Sequence, residues 1–159
     1  MSVADIPIRW SSDPGELQAA LAVRVHVFCG EQGVPREEEP DALDEVALHL
    51  VALSPGDGPD GSSVVATLRL LPGEQVARIG RVAVLAPWRR RGVASRMLAL
   101  AVSRAREEGH ERARLAAQIS AKALYEHAGF SVESEPFDEA GIAHVWMGRA
   151  LAEVPAARA

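Results

Sequence analysis

The sequence predicts an α/β (α+β) domain on a mixed, mostly antiparallel central sheet of about seven strands flanked by helices, in the order β-α-β-β-β-α-β-α-β-β. Three observations carry that reading. Two long amphipathic helical patterns are separated by three consecutive strand-like runs, so hairpins rather than repeated βαβ units fill the middle of the chain. A stretch rich in glycine and proline joins the first two of those runs, which makes them an antiparallel pair. Two further strand-like runs meet around Glu139-Ala140-Gly141 as a terminal antiparallel pair.

Each element has a local cause. Ile6 to Ser11 alternates weakly and reads as the first strand. Asp13-Pro14-Gly15-Glu16 supplies a capping carboxylate, a proline at the first helical position and a glutamate at the third, so a helix starts there. Leu17, Ala20, Leu21, Val25 and Phe28 fall on one face of that helix, which should end near Gly30 or Gly33. The segment from Glu31 to Glu45 concentrates carboxylates and reads as a loop or short broken helix. Ala47 to Leu53 and Ser62 to Leu71 form the hairpin, and Val76 to Leu85 a third strand. A helix runs from Val93 to about Glu108 and is stopped by Gly109. Ala113 to Gln118 is a strand, Ala121 to His127 a short helix ending at Gly129, and Phe130 to Phe137 with Ala143 to Leu151 the closing pair.

At 159 residues, nearly half of them apolar and a quarter charged, the chain is expected to form one domain over 1–151, with 152–159 a disordered tail. Met1 to Trp10 lacks the basic start and apolar core of a signal peptide, and no apolar run is long enough to span a bilayer, so a cytoplasmic protein without membrane attachment is expected. The single cysteine, Cys29, follows Val25 and Phe28 on an apolar helix end and reads as a small core residue. The five histidines are dispersed, so no metal site is expected. Net charge is -5, yet the segment from Arg78 to Arg114 carries +7 and the remainder -12. That asymmetry fits a local anion site better than nucleic-acid binding, which calls for a broad basic face. Gly56-Asp-Gly-Pro-Asp-Gly61 matches a dinucleotide fingerprint formally, but Pro59 and the period-two run after it make a strand follow, not a helix.

The anion site is expected at Trp88-Arg-Arg-Arg-Gly-Val-Ala94. A strand ends at Pro87, three arginines and a glycine follow, and an amphipathic helix begins with Val93, Ala94, Met97, Leu98, Ala101, Val102 and Ala105 on one face. Backbone N–H groups, the positive end of a helix and guanidinium charge thereby converge, which suits a pyrophosphate. The second informative segment is Gln118-Ile-Ser-Ala-Lys-Ala-Leu-Tyr-Glu-His-Ala-Gly-Phe130, which holds the only tyrosine of the chain.

These two segments, in this order and spacing, resemble the GNAT superfamily of N-acetyltransferases. Val27-Phe-Cys-Gly-Glu-Gln-Gly-Val-Pro35 and His144-Val-Trp-Met147 further resemble its bacterial ElaA-like subgroup. The resemblance implies acetyl-CoA as donor and a primary amine, on a small molecule or peptide, as acceptor. It maps the phosphate loop onto Arg89, Arg90, Arg91, Gly92, Val93, Ala94 and Ser95, and the pantetheine arm onto the backbone of Val82, Ala83 and Val84. Mid-strand Gly80 suits the local bend that this arrangement needs. Tyr125 matches the residue that protonates the departing thiolate, and a backbone N–H near Val82 would stabilise the oxyanion. Gln118 stands where many relatives carry asparagine and would reach the donor with a longer amide.

The base that takes the amine proton is open among Glu31, His49 and His144. The acidic run from Glu31 to Glu45 would either attract a cationic substrate or form a solvated face. A non-catalytic acyl-CoA-binding or regulatory module is the alternative to an enzyme. Exposed sheet edges at the C-terminal pair are compatible with a homodimer.

Overall fold

The computed structural model describes residues 5–151. The chain order is β1 (Ile8–Ser11), α1 (Pro14–Arg24), β2 (Leu48–Leu53), β3 (Val64–Leu71), β4 (Val76–Val84), α2 (Val93–Glu107), β5 (Arg112–Gln118), α3 (Lys122–His127), β6 (Ser131–Val132), β7 (Phe137–Glu139) and β8 (Ile142–Ala150). One mixed sheet runs β1-β2-β3-β4-β5-β8-β6, with β7 also on β8. Every pairing is antiparallel except β4 with β5. The expected mixed, mostly antiparallel architecture is therefore present. The tail of residues 152–159 lies outside the described residues.

Helices cover both faces, as the strand registers make clear, because cross-strand partners share a face. Trp10, Leu50 and Leu68 are one such row, and the Arg104 guanidinium of α2 lies 5.3 Å from the Trp10 ring centre. Ser11, His49 and Arg69 are the neighbouring row on the other face, where Glu16 of α1 accepts a hydrogen bond from Ser11 Oγ at 2.6 Å. Strand β3 is accordingly buried along nearly its whole length. The expected apolar stripe of α2 is buried at Val93, Met97, Leu98, Ala101, Val102 and Ala105, each of the larger side chains contributing about 1.5–3 kcal/mol.

Three local departures from expectation have physical reasons. Helix α1 begins as read, with the Asp13 carboxylate accepting from the Glu16 N–H at 3.0 Å, but its regular part ends at Arg24. From Val25 to Glu31 the chain widens into a π-helical turn, closed where the Gln32 N–H reaches the Val27 carbonyl at 3.2 Å. The strand expected over Phe130 to Phe137 is split into β6 and β7. Pro136 offers no N–H there, and Ser134 Oγ takes the place of a backbone acceptor for the Trp146 N–H at 2.9 Å. The bend expected at Gly80 sits one residue later. Leu68 alone faces both Arg81 and Val82, and Arg81 holds the positive φ of 51°.

That bulge opens the sheet. Strands β4 and β5 pair only from Val76 to Arg78 with Arg112 to Arg114, and beyond that point they splay into a V. A left-handed conformation at a non-glycine residue costs about 1–2 kcal/mol, and the Arg81 side chain holds it by donating to the Glu39 carbonyl at 3.2 and 3.0 Å.

Part of the acidic run forms a clamp: Glu39, Asp41 and Asp44 pair with arginines, while Glu37, Glu38 and Glu45 stay exposed. Arg24 Nε meets Glu39 Oε1 at 2.6 Å, Arg24 Nη1 meets Asp44 at 2.8 Å, and Arg69 Nη1 meets Asp41 at 2.7 Å and Asp44 at 2.9 Å. Arg24 and Glu39 are almost wholly buried. Three arginines from α1, β3 and β4 thus clamp the segment 39–44 against the V. Arg69 hydrogen bonding holds the Asp41 carboxyl below the usual carboxylate range. Burial alone would raise Asp44, but the hydrogen bonds and charge of Arg24 and Arg69 outweigh it and hold that carboxyl far lower. Depressed carboxyls stabilise the fold above the unfolded value of about 3.9, and that contribution is lost as pH falls from there toward the folded values. Asp44→Asn should therefore melt below wild type at neutral pH, with the gap narrowing between about pH 4 and pH 2 in thermal melts. A constant gap would show that the clamp is not held by the Asp44 charge.

Candidate active site

The loop leaving β4 is built to expose N–H groups. Leu85 to Trp88 turns tightly, with the Trp88 N–H on the Leu85 carbonyl at 2.8 Å. Arg90 and Gly92 then take positive φ values of 60° and 85°, and Gly92 caps α2 without any side-chain acceptor. The first-turn N–H groups of α2 are left without intrahelical carbonyls, next to the positive end of the helix dipole. A cavity of about 440 Å³ lies in front of them, lined by Val82, Ala83, Val84, Arg89, Arg90, Gly92, Val93, Ala94, Ser95 and Gln118.

The three arginines have different tasks. Arg89 donates to the Val84 carbonyl at 2.8 Å and pairs with Glu31 at 2.7 Å, so it staples the loop to β4 and to the π-helical turn. Arg91 donates to the Pro87 carbonyl at 3.1 Å, lies over the Trp88 ring and does not line the cavity. Arg90 lines it and has no ion-pair or hydrogen-bond partner among the described residues.

A second cavity, also about 440 Å³, opens on the other side of the V. The two share Phe28, Gln32, Val82, Gln118, Ala121 and Tyr125, so they meet where β4 and β5 part. Gln118 Nε2 donates to Gln32 Oε1 at 2.8 Å, which ties the end of β5 to the residue after the π-helical turn.

Tyr125 is placed by the way α3 ends. The Phe130 N–H reaches the Tyr125 carbonyl and the Gly129 N–H the Glu126 carbonyl, both at 3.0 Å, and Gly129 takes φ 91°. This is a Schellman ending, and a Cβ at Gly129 would come within 2.8 Å of the Arg149 guanidinium. The Ala-Gly-Phe part of the motif therefore fixes the helix that carries the tyrosine. Tyr125 is 8% exposed, lines both cavities, and its hydroxyl has no hydrogen-bond partner among the described residues. Burial pushes its phenol up to about 12, so it stays a proton donor at ordinary pH.

Of the three base candidates, only His144 lines either cavity. Its Nδ1 donates to the Ile142 carbonyl at 2.7 Å, and its Nε2 lies 3.6 Å from Glu139. His49 spends Nε2 on the Asp44 carbonyl at 2.9 Å, and Glu31 is held by Arg89. Cys29 lines neither cavity and is only half-buried, and its thiol is pushed up by that partial burial and by the Glu39 charge. No group of three or more metal-ligating side chains occurs among the described residues. No helix among them is long and apolar enough to cross a membrane.

The sequence does not mark Phe28, Gln32, Glu39, Arg69, Arg78 or Arg81, which line the second cavity beside Val82, Gln118, Tyr125 and His144. Only the first two lie in a segment that carried a motif signal.

The model of the acetyltransferase (GNAT) domain matches residues 60–151 of the chain. The chain is 33% identical to Uncharacterized N-acetyltransferase YjcF of Bacillus subtilis, over 83% of this chain and 91% of that protein. Among solved structures it is similar to an acyl-CoA N-acyltransferase from Pseudomonas aeruginosa, with 31% identity, a TM-score of 0.77, and coverage of 91% of this chain and 100% of that one. It shares its fold with Escherichia coli ElaA, at 23% identity and a TM-score of 0.74 over 94% of this chain and 96% of that one.

Proposed function

Since the chain belongs to the GNAT acetyltransferase family and is an N-acetyltransferase, we propose that it transfers the acetyl group of acetyl-CoA directly to a primary amine at the junction of its two cavities. The observation that carries this reading is the shared wall of Val82, Gln118 and Tyr125, which gives two separately entered cavities a common reaction point. The donor enters from the α2 side. Its pyrophosphate is held by the N–H groups of Arg90 to Ser95 and by the Arg90 guanidinium, and its pantetheine arm follows the backbone of Val82 to Val84. Residues of β4 beyond Arg78 have no partner on the β5 side, which supports that path.

The amine enters from the other cavity, and its nitrogen attacks the thioester carbon. A backbone N–H near Val82 holds the oxyanion in a fixed position, which stabilises the transition state without reorganisation. The C–S bond breaks, and the thiolate takes the Tyr125 proton. His144, directly or through water, takes the proton that the amine nitrogen loses, and the phenol is then reprotonated through solvent. Products are the amide and free CoA thiol.

Thiol release from acetyl-CoA in the presence of a panel of primary amines tests the reading. Amine-dependent release supports an enzyme. Acetyl-CoA binding without release with any amine would make the protein an acyl-CoA-binding module instead. His144→Gln should lower kcat about tenfold to a hundredfold with acetyl-CoA affinity retained, because it removes the proton acceptor and not the donor site. An unchanged kcat would assign the proton to water or another group.

A further inference from the structure

The second cavity has walls of both charges, and not all of them are paired within the protein. Its walls include Arg69, Arg78, Arg81, Glu38, Glu39 and Glu139. Arg69 is matched by Asp41 and Asp44, Arg81 by Glu39 and Asp41, and Glu39 also by Arg24. Arg78 is different. It is exposed and has no carboxylate partner among the described residues; exposed Glu38 has no cationic partner there, and exposed Glu139 faces only His144.

Arg78 is nevertheless held in place. Its guanidinium carbon lies 5.5 Å from the centre of the Trp146 ring. That ring is stacked on Phe137, with ring centres 5.6 Å apart, and carries Arg114 at 4.4 Å. The charge of Arg114 is met by Glu133 at 3.3 Å, so Arg78 is the cation of this group left for a ligand. A guanidinium held near an aromatic ring still has N–H groups to donate, and their fork matches a carboxylate.

We propose that the acceptor is an amine that carries a carboxylate, of the ω-amino acid type, with its carboxylate on Arg78 and its amine at the Val82 and Tyr125 junction. The inference rests on the acetyl-transfer reading above and names the class of molecule that enters its second cavity. Charge decides the class. A polyamine would meet the acidic side chains but leave Arg78 unanswered and repelling. A phosphate dianion would meet Arg78 but stand against Glu38 and Glu139. A zwitterion answers both signs. Distance decides the length. Arg78 and Val82 are four residues apart on β4, but the bulge at Arg81 leaves three ladder steps, about 10 Å along the strand, and the arginine stem recovers part of it. Several bonds must therefore separate carboxylate from amine, which excludes glycine and suits a chain such as aminocaproate.

The test measures kcat/KM for thiol release with glycine, aminocaproate and hexylamine, on wild type, Arg78→Gln and Arg78→Lys, with acetyl-CoA affinity by calorimetry as the control for an intact donor site. Aminocaproate is expected to exceed both hexylamine and glycine at least tenfold in wild type. The advantage over hexylamine should fall to near one in Arg78→Gln, through a higher KM, and return in part in Arg78→Lys. Equal kcat/KM for aminocaproate and hexylamine in wild type, or an advantage that survives in Arg78→Gln, overturns the inference and leaves acetyl transfer standing. No release with any amine, while acetyl-CoA still binds, overturns the transfer reading and this inference with it.

Discussion

Replacing Tyr125 by phenylalanine should lower kcat by about a hundredfold to a thousandfold, the range in which a positioned general acid acts. The phenol lies in the wall common to both cavities, where a departing thiolate would form. Burial raises it to about 12, so the proton is present whenever the enzyme turns over. The hydroxyl has no internal hydrogen-bond partner among the described residues, so phenylalanine keeps the packing and orphans nothing. Melting temperature and acetyl-CoA affinity should accordingly stay near wild type while turnover collapses. The sign of the pH dependence follows as well. The active form is protonated, and it is lost only as pH rises through about 12, so Tyr125 ionisation should produce no decline in kcat between about pH 8 and pH 10. Equal loss of acetyl-CoA binding and rate in Tyr125→Phe would remove the acid role and leave the ring as a wall of the donor cavity.

What could be read in advance was local, and what could not was set by contacts between distant segments. The turn that exposes N–H groups ahead of α2 was legible because its parts are consecutive: Gly92, then the apolar repeat of α2. Within that loop the three arginines are alike in sequence. Only the fold distinguishes Arg90, which lines the cavity unpaired, from Arg89, which lines it paired with Glu31, and from Arg91 over Trp88. The bend in β4 was placed at Gly80 on backbone freedom, whereas the chain bends at Arg81 because the Arg81 side chain is anchored to Glu39, 42 residues away. The same clamp accounts for Glu39, Asp41 and Asp44 of the acidic run. Nothing in Glu39, Asp41 and Asp44 as a string says that Arg24, Arg69 and Arg81 will converge on them. Arg69 and Arg81 were illegible as walls of the second cavity for that reason, and Tyr125 stood out only through the motif around it.

Ser95→Glu should abolish acetyl-CoA binding in the micromolar range, weakening it by about a hundredfold or more, while leaving the fold as stable as wild type or slightly more so. The two effects have opposite signs for one electrostatic reason. Ser95 is the third residue of α2 and lines the donor cavity. A glutamate there meets the free first-turn N–H groups and the positive helix end, which favours the helix by about 0.3–1 kcal/mol. It also puts a fixed negative charge where the pyrophosphate must sit and occupies the same donors, and two like charges in contact cost several kcal/mol. Arg90→Ala should weaken binding less, by about tenfold, because the backbone N–H groups remain. Calorimetric titration with acetyl-CoA and thermal melts on the same preparations check both halves. A Ser95→Glu protein that binds acetyl-CoA as wild type does would show that the donor phosphates are not held at the start of α2. The cavity in front of it would then have no claim to the donor, and the direction of entry assigned to the two substrates would have to be reversed.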